Sequence, residues 1–194
     1  MKKSFLIPLT ILMSFTGFHE QPVDRIGVKG PLTFNKTTFN LAWTSKPSEN
    51  YYIQEYLPNK ETADHFNQML SIFLLAGEVT AKDAVQQKIS ELTERKKTDA
   101  TCNYSVNQSH DGKEYMVDFV LGESKNDKQE VEEFNIYRYK QVNLGNNKKG
   151  LLVYAYSKRA YGEDITPFLK KLKTDRIAFL NEMTAAEMPT VTVH

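Results

Sequence analysis

The stretch Asn103-Tyr104-Ser105-Val106-Asn107-Gln108-Ser109-His110-Asp111-Gly112-Lys113-Glu114-Tyr115-Met116-Val117-Asp118-Phe119-Val120-Leu121 decides the fold. Two strand-like runs flank Asp111-Gly112, a dipeptide suited to the positive backbone angles of a tight hairpin turn. The pattern predicts antiparallel strands over 103–108 and 114–121. Working toward the C-terminus, the polar run 123–128 reads as a turn. A strand follows over 131–142, where Phe134 and Ile136 alternate with Asn135, Tyr137 and Tyr139. The segment 145–150, rich in Gly, Asn and Lys, then leads into a strand over 151–157, which completes a four-strand meander.

Toward the N-terminus, Phe39, Leu41 and Trp43 alternate with Thr38, Asn40, Ala42 and Thr44, the period of a half-buried strand. A six-residue turn over 45–50 returns the chain into a strand over 51–57, stopped by Pro58. The next segment has two readings. Phe66, Met69, Leu70, Phe73 and Leu74 fit a helix face, while 69–76 also reads as a fully buried strand. The adopted reading is a short helical turn over 62–66 and a strand over 68–75, since the apolar run fills both faces and ends at Gly77.

Two helices complete the order. One follows Thr80, with Asp83 three residues on as a cap partner and Val85, Ile89 and Leu92 along one face. The other starts near 164–166 with Pro167 in its first turn. It buries Leu169, Leu172, Phe179, Leu180 and Met183, and ends before Pro189. The expected fold class is α+β: a single antiparallel sheet of about six to seven strands with two helices packed on one face.

Lys2 and Lys3 precede an apolar run over 5–18 that is shorter than a bilayer-spanning helix and is followed at once by His19 and Glu20. This is the charged and apolar grammar of a signal peptide, placed over 1–18. An irregular lead-in over 19–37, one domain over 38–188 and a tail over 189–194 follow. The expected location is exported, periplasmic or secreted, with no permanent membrane anchor.

Without Lys2 and Lys3, 23 basic residues face 24 acidic ones, a balance that excludes the strong basic excess of a nucleic-acid binder. The single cysteine, Cys102, allows no intrachain disulfide and is expected to be a small buried apolar side chain.

The chemistry-bearing patterns are sparse. His19, His65, His110 and His194 lack the paired spacing of a zinc site, so neither metal nor cofactor is expected. The chain also lacks a nucleophile elbow and a phosphate-cradling glycine loop.

Tyrosine is prominent: Tyr51, Tyr52, Tyr56, Tyr137, Tyr139, Tyr154, Tyr156 and Tyr161 fall on or beside predicted strands. Aromatic residues pack sheet faces, and tyrosine also supplies recognition area with a polar tip. The segment 157–162 places Lys158, Arg159 and Tyr161 in an expected loop after the last strand. With Tyr154 and Tyr156 they form the candidate ligand-binding set, and no catalytic residue is assigned.

The stretch 52–58, with Trp43 before it and Gln68-Met69-Leu70 after it, resembles small uncharacterised exported bacterial proteins. That resemblance implies a periplasmic or secreted location and a hairpin-first α+β order. The order of strands and helices is also similar to the PsbP-like fold, an analogy of fold that does not fix function.

The functional expectation is an exported cell-envelope binding or accessory protein whose partner is a protein or a small-molecule ligand, with no nucleic acid. The alternative is a hydrolase or other enzyme with dispersed residues, in which Glu55, Asp118, Glu133 and Lys158 would have to converge.

Overall fold

The computed structural model describes residues 22–126 and 128–193 of the 194-residue chain. The expected signal peptide over 1–18 lies outside the described residues. Eight strands and two helices follow in the order β1 (Leu32–Phe34), β2 (Thr37–Ser48), β3 (Tyr51–Leu57), β4 (Gln68–Ala76), α1 (Ala81–Arg95), β5 (Asn103–Gln108), β6 (Glu114–Lys125), β7 (Lys128–Asn143), β8 (Lys149–Tyr161) and α2 (Ile165–Ala185). The strands form one curled antiparallel sheet, β1-β2-β3-β4-β8-β7-β6-β5. It is two four-strand meanders joined where β8 pairs with β4. α1 carries the chain from β4 to β5 at the far edge, and the second meander then works back toward the seam.

The expected fold class is corrected in two respects. The sheet has eight strands rather than about six to seven, and the helices lie on opposite faces rather than on one. Strand alternation sorts the interior into two cores. Leu70, Ile72, Leu74, Phe134, Ile136, Leu152, Tyr154 and Tyr156 pack with Leu172, Phe179, Leu180 and Met183 of α2. Leu75, Val117, Phe119, Tyr139, Leu151 and Val153 pack with Ala84, Val85 and Leu92 of α1. Successive side chains of a strand point to opposite faces, so the neighbours Leu151 and Leu152 serve different helices. Gly150 to Ser157 are buried without interruption, the signature of a strand covered on both sides.

Local differences follow from the same architecture. β2 runs on to Ser48 through Pro47, leaving Glu49 and Asn50 as the turn in place of a six-residue connection. Beyond the three residues that pair with β1, β2 is an edge, where a proline removes no ladder bond. Residues 63–65 are bends, and 62–66 contain no helical turn; the following run is the strand β4, whose two faces feed the two cores. β1 falls within the lead-in expected to be irregular.

β6 and β7 extend until only residues 126–127 separate them. β8 continues through Tyr161, so 157–162 is strand up to its last residue and not a loop.

The helix signals act as read. Thr80 Oγ1 accepts the Asp83 backbone N–H at 3.1 Å and donates to the Asp83 carboxylate at 2.7 Å. α2 begins after a short 3-10 turn, Gly162–Asp164.

Candidate functional site

α1 covers only part of its face of the sheet. The remainder is a strip across β2, β3, β4, β8 and β7 that is set by register: Trp43 pairs with Glu55, Glu55 with Ser71, Ser71 with Ala155, and Ala155 with Tyr137. Beside this row lie the pairs Ser157–Asn135 and Arg159–Glu133. All of these side chains share the parity that points away from the α2 core.

The polar groups on β7 and β8 are locked together. Arg159 donates from Nε and Nη2 to Glu133 Oε2 at 2.7 and 2.6 Å. Asn135 Nδ2 donates to Glu133 Oε1 at 3.0 Å, and Ser157 Oγ donates to Asn135 Oδ1 at 2.6 Å. The Arg159 guanidinium also lies over the Phe66 ring, 4.1 Å from its centroid. Phe66 is tied in turn to Tyr161, whose hydroxyl accepts the Phe66 N–H and donates to its carbonyl. Charge-assisted bonds of this length, on partners that are themselves held, make a rigid wall.

Glu55 is different. Its half-buried carboxylate makes no hydrogen bond or close ion pair among the described residues. Burial pushes its pKa up to about 7, with Arg159 opposing and Glu133 reinforcing the rise. Ser71 beside it is 5% exposed, and its hydroxyl has no partner among the described residues.

Tyr51 and Tyr137 are held un-ionised, first by burial, with the Glu55 charge adding for Tyr51 and Glu133 and Glu55 adding for Tyr137. Phe73 stacks on Tyr137 with ring centroids 5.8 Å apart. At the α1 end, Lys88 Nζ sits 5.5 Å from the Tyr137 centroid and pairs with Glu91 at 2.8 Å.

The five residues of the sequence-derived ligand set are divided between faces. Arg159 and Tyr161 belong to the strip. Tyr154 and Tyr156, 3% and 0% exposed, are core residues beneath α2. Lys158 shares their parity and sits in a crevice with Lys171, Asp175 and Phe179, where burial and Lys171 lower its pKa. Of the four residues considered for catalysis, Glu55 and Glu133 come to one face. Asp118 lies on the other, bound by Arg176, as does Lys158.

Ser71, Asn135 and Ser157 were not singled out in sequence. For Ser71 the signal was polarity between the apolar i±2 neighbours Met69 and Phe73.

A cavity of about 450 Å³ lies between residues 27–33 and 185–190, with Tyr154 at its wall. Of its two charged lining residues, Glu182 and Glu187, Glu182 already accepts the Asn35 backbone N–H at 3.1 Å. Among the described residues no group of three or more His, Cys, Asp or Glu side chains could hold a metal ion. No helix among them is long and apolar enough to cross a membrane.

A protein-family model for a family of uncharacterised proteins matches residues 26–188, which span the whole sheet and both helices. No curated protein and no solved structure matches.

Proposed function

The chain belongs to this family of uncharacterised proteins over residues 26–188, and from that premise we propose that it is an exported envelope protein that binds a small ligand on the strip beside α1. The observation that carries the reading is the contrast between Glu55 and its surroundings. A carboxylate without a partner sits on a half-buried aromatic face, beside a polar network whose other members are already satisfied. Unmet polar groups converging among aromatic side chains are the usual furniture of a small-molecule site. The lysine-led apolar run at 2–18 supports export.

Binding is favoured over hydrolysis because Glu133 is committed. Three donors occupy its two oxygens, so the face does not offer the second free carboxylate that acid–base cleavage with two carboxyl groups needs.

The test is recovery of small molecules with the protein purified from its native envelope, read by mass spectrometry and compared with Glu55→Gln and Tyr137→Ala variants. A compound enriched with the native protein and depleted in both folded variants is the expected result. Equal recovery from all three, or none from any, overturns the reading. Cell fractionation with Lys2→Glu and Lys3→Glu together tests export, which predicts retention in the cytoplasm.

A further inference from the structure

We infer that the ligand carries an organic ammonium group on an apolar or aromatic body, seated with its cation at Glu55 and its body against Tyr51, Phe73 and Tyr137. The inference deepens the binding reading above and rests on it.

Local charge selects the ligand class. Around the strip, Arg159 is held by Glu133, and Lys88 is held by Glu91. Each of those pairs is locally neutral, which leaves Glu55 as the carboxylate without a cation of its own. A buried carboxylate in that position resists ionisation, and an incoming cation removes the resistance. An anion would meet the Glu55 charge, while a neutral ligand would leave that charge uncompensated.

The surroundings suit the same chemistry. Tyr51 lies on the same strand and the same face as Glu55, and Tyr137 ends the cross-strand row that runs through Glu55 and Ser71; aromatic side chains attract ammonium groups. Lys88 already lies over Tyr137 and over Phe119, at 5.5 and 5.9 Å from the ring centroids, so these rings hold a cation within the protein itself. The unpartnered Ser71 hydroxyl next to Glu55 can accept an N–H from a primary or secondary amine.

The experiment uses the chain's single tryptophan, Trp43, which stands opposite Glu55 in the β2–β3 register and is 38% exposed. Its fluorescence is titrated with phenethylamine, 2-phenylethanol and phenylacetate, which share a ring and differ in charge. The expected result is a saturable change with phenethylamine, about tenfold tighter than either analogue.

Phenethylamine affinity should also rise about tenfold between pH 6 and pH 8 as Glu55 loses its proton. The other groups facing Glu55 are Tyr51 on β3, Glu133 and Tyr137 on β7, Arg159 on β8 and, beyond Tyr137, Lys88 and Glu91 of α1. The pH effect should vanish in Glu55→Gln and persist, with altered affinity, in Glu55→Asp.

Binding of the alcohol or the acid as tight as the amine overturns the ammonium inference and leaves the binding reading standing. So does amine binding that is indifferent to both pH and Glu55→Gln. The absence of any saturable change with phenethylamine, where the native protein still recovers a non-cationic compound from the envelope, overturns it as well.

Discussion

Arg176 of α2 grips Asp118 of β6 with both arms of its guanidinium, Nε to Oδ2 at 2.6 Å and Nη2 to Oδ1 at 2.9 Å, over a carboxylate that is only 3% exposed. The pair ties the middle of α2 to the sheet. Replacing Arg176 by Ala leaves a buried carboxylate unmatched and should cost about 2–4 kcal/mol in chemical denaturation. An Asp118→Leu, Arg176→Met double variant should recover most of that loss, because it restores a matched apolar contact. A double variant as unstable as Arg176→Ala would show that the pair is not what holds the helix.

The far end of the same helix depends on Arg138. Its Nη1 donates to the carbonyls of Met183, Thr184 and Ala186 at 2.8, 3.2 and 2.8 Å, while Glu114 holds the guanidinium from β6. These are carbonyls that a helix C-terminus leaves without internal partners. Arg138→Met should destabilise the fold by about 2 kcal/mol and speed amide exchange over the last turn of α2 more than in α1. Hydrogen exchange read by mass spectrometry distinguishes the two.

Stability should fall between pH 4.5 and pH 7. Glu132 is fully buried, its Oε1 has no partner among the described residues, and burial pushes its pKa up to about 7, although Gln129 Nε2 donates to its Oε2 at 3.0 Å. A carboxyl whose folded pKa lies above its unfolded value contributes fully below the unfolded pKa and loses that contribution as pH rises through the folded one. Glu55 acts in the same sense. Asp99 and Glu114, whose hydrogen bonds lower their pKa values against the effect of burial, act in the opposite sense and weaken the fold only below about pH 4. Glu132→Gln should match the native protein near pH 4 and exceed it at pH 8 by roughly 3 kcal/mol, read from urea midpoints. Parallel pH profiles for the two proteins would refute this.

Tyr139 buries its hydroxyl with no partner among the described residues, inside the α1 core. Tyr139→Phe removes an unmet donor and keeps the ring, so it should be neutral or stabilising by up to about 1 kcal/mol. A loss of more than about 1 kcal/mol in thermal or chemical unfolding would mean that the hydroxyl is bonded in solution.

What the sequence made legible was local. The Asp111-Gly112 hairpin, the Thr80 cap and the strand Tyr51–Leu57 needed only neighbouring residues, and they stand where the pattern places them. The placement of the helices was not local. An apolar stripe shows that a helix buries one side, but only the register of β4 with β8 shows that Leu151 and Leu152 open onto different cores.

The strip was half legible for the same reason. Arg159 and Tyr161 drew notice as a basic and aromatic cluster, and Tyr154 and Tyr156 were grouped with them by proximity in sequence. Strand parity sends the two pairs to opposite sides of the sheet. Ser71 and Asn135 lie far from Arg159 along the chain and join it only through pairing between strands.

The doubly covered strand β8 raises a problem of fidelity. In most antiparallel strands, sliding by one residue exposes every apolar side chain, so water itself corrects the error. From Leu151 to Tyr156 both parities are apolar, and a slipped β8 would still look greasy on each side. The correct alignment must therefore be marked by the few residues that tolerate only one partner. Gly150 is one, because a Cβ there would sit 3.2 Å from the Leu75 carbonyl oxygen. Ser157 with Asn135 and Arg159 with Glu133 are the others. The polar wall of the candidate site would thus also be the proofreading mark for assembly of the sheet, and the two meanders join in the right frame only when it closes.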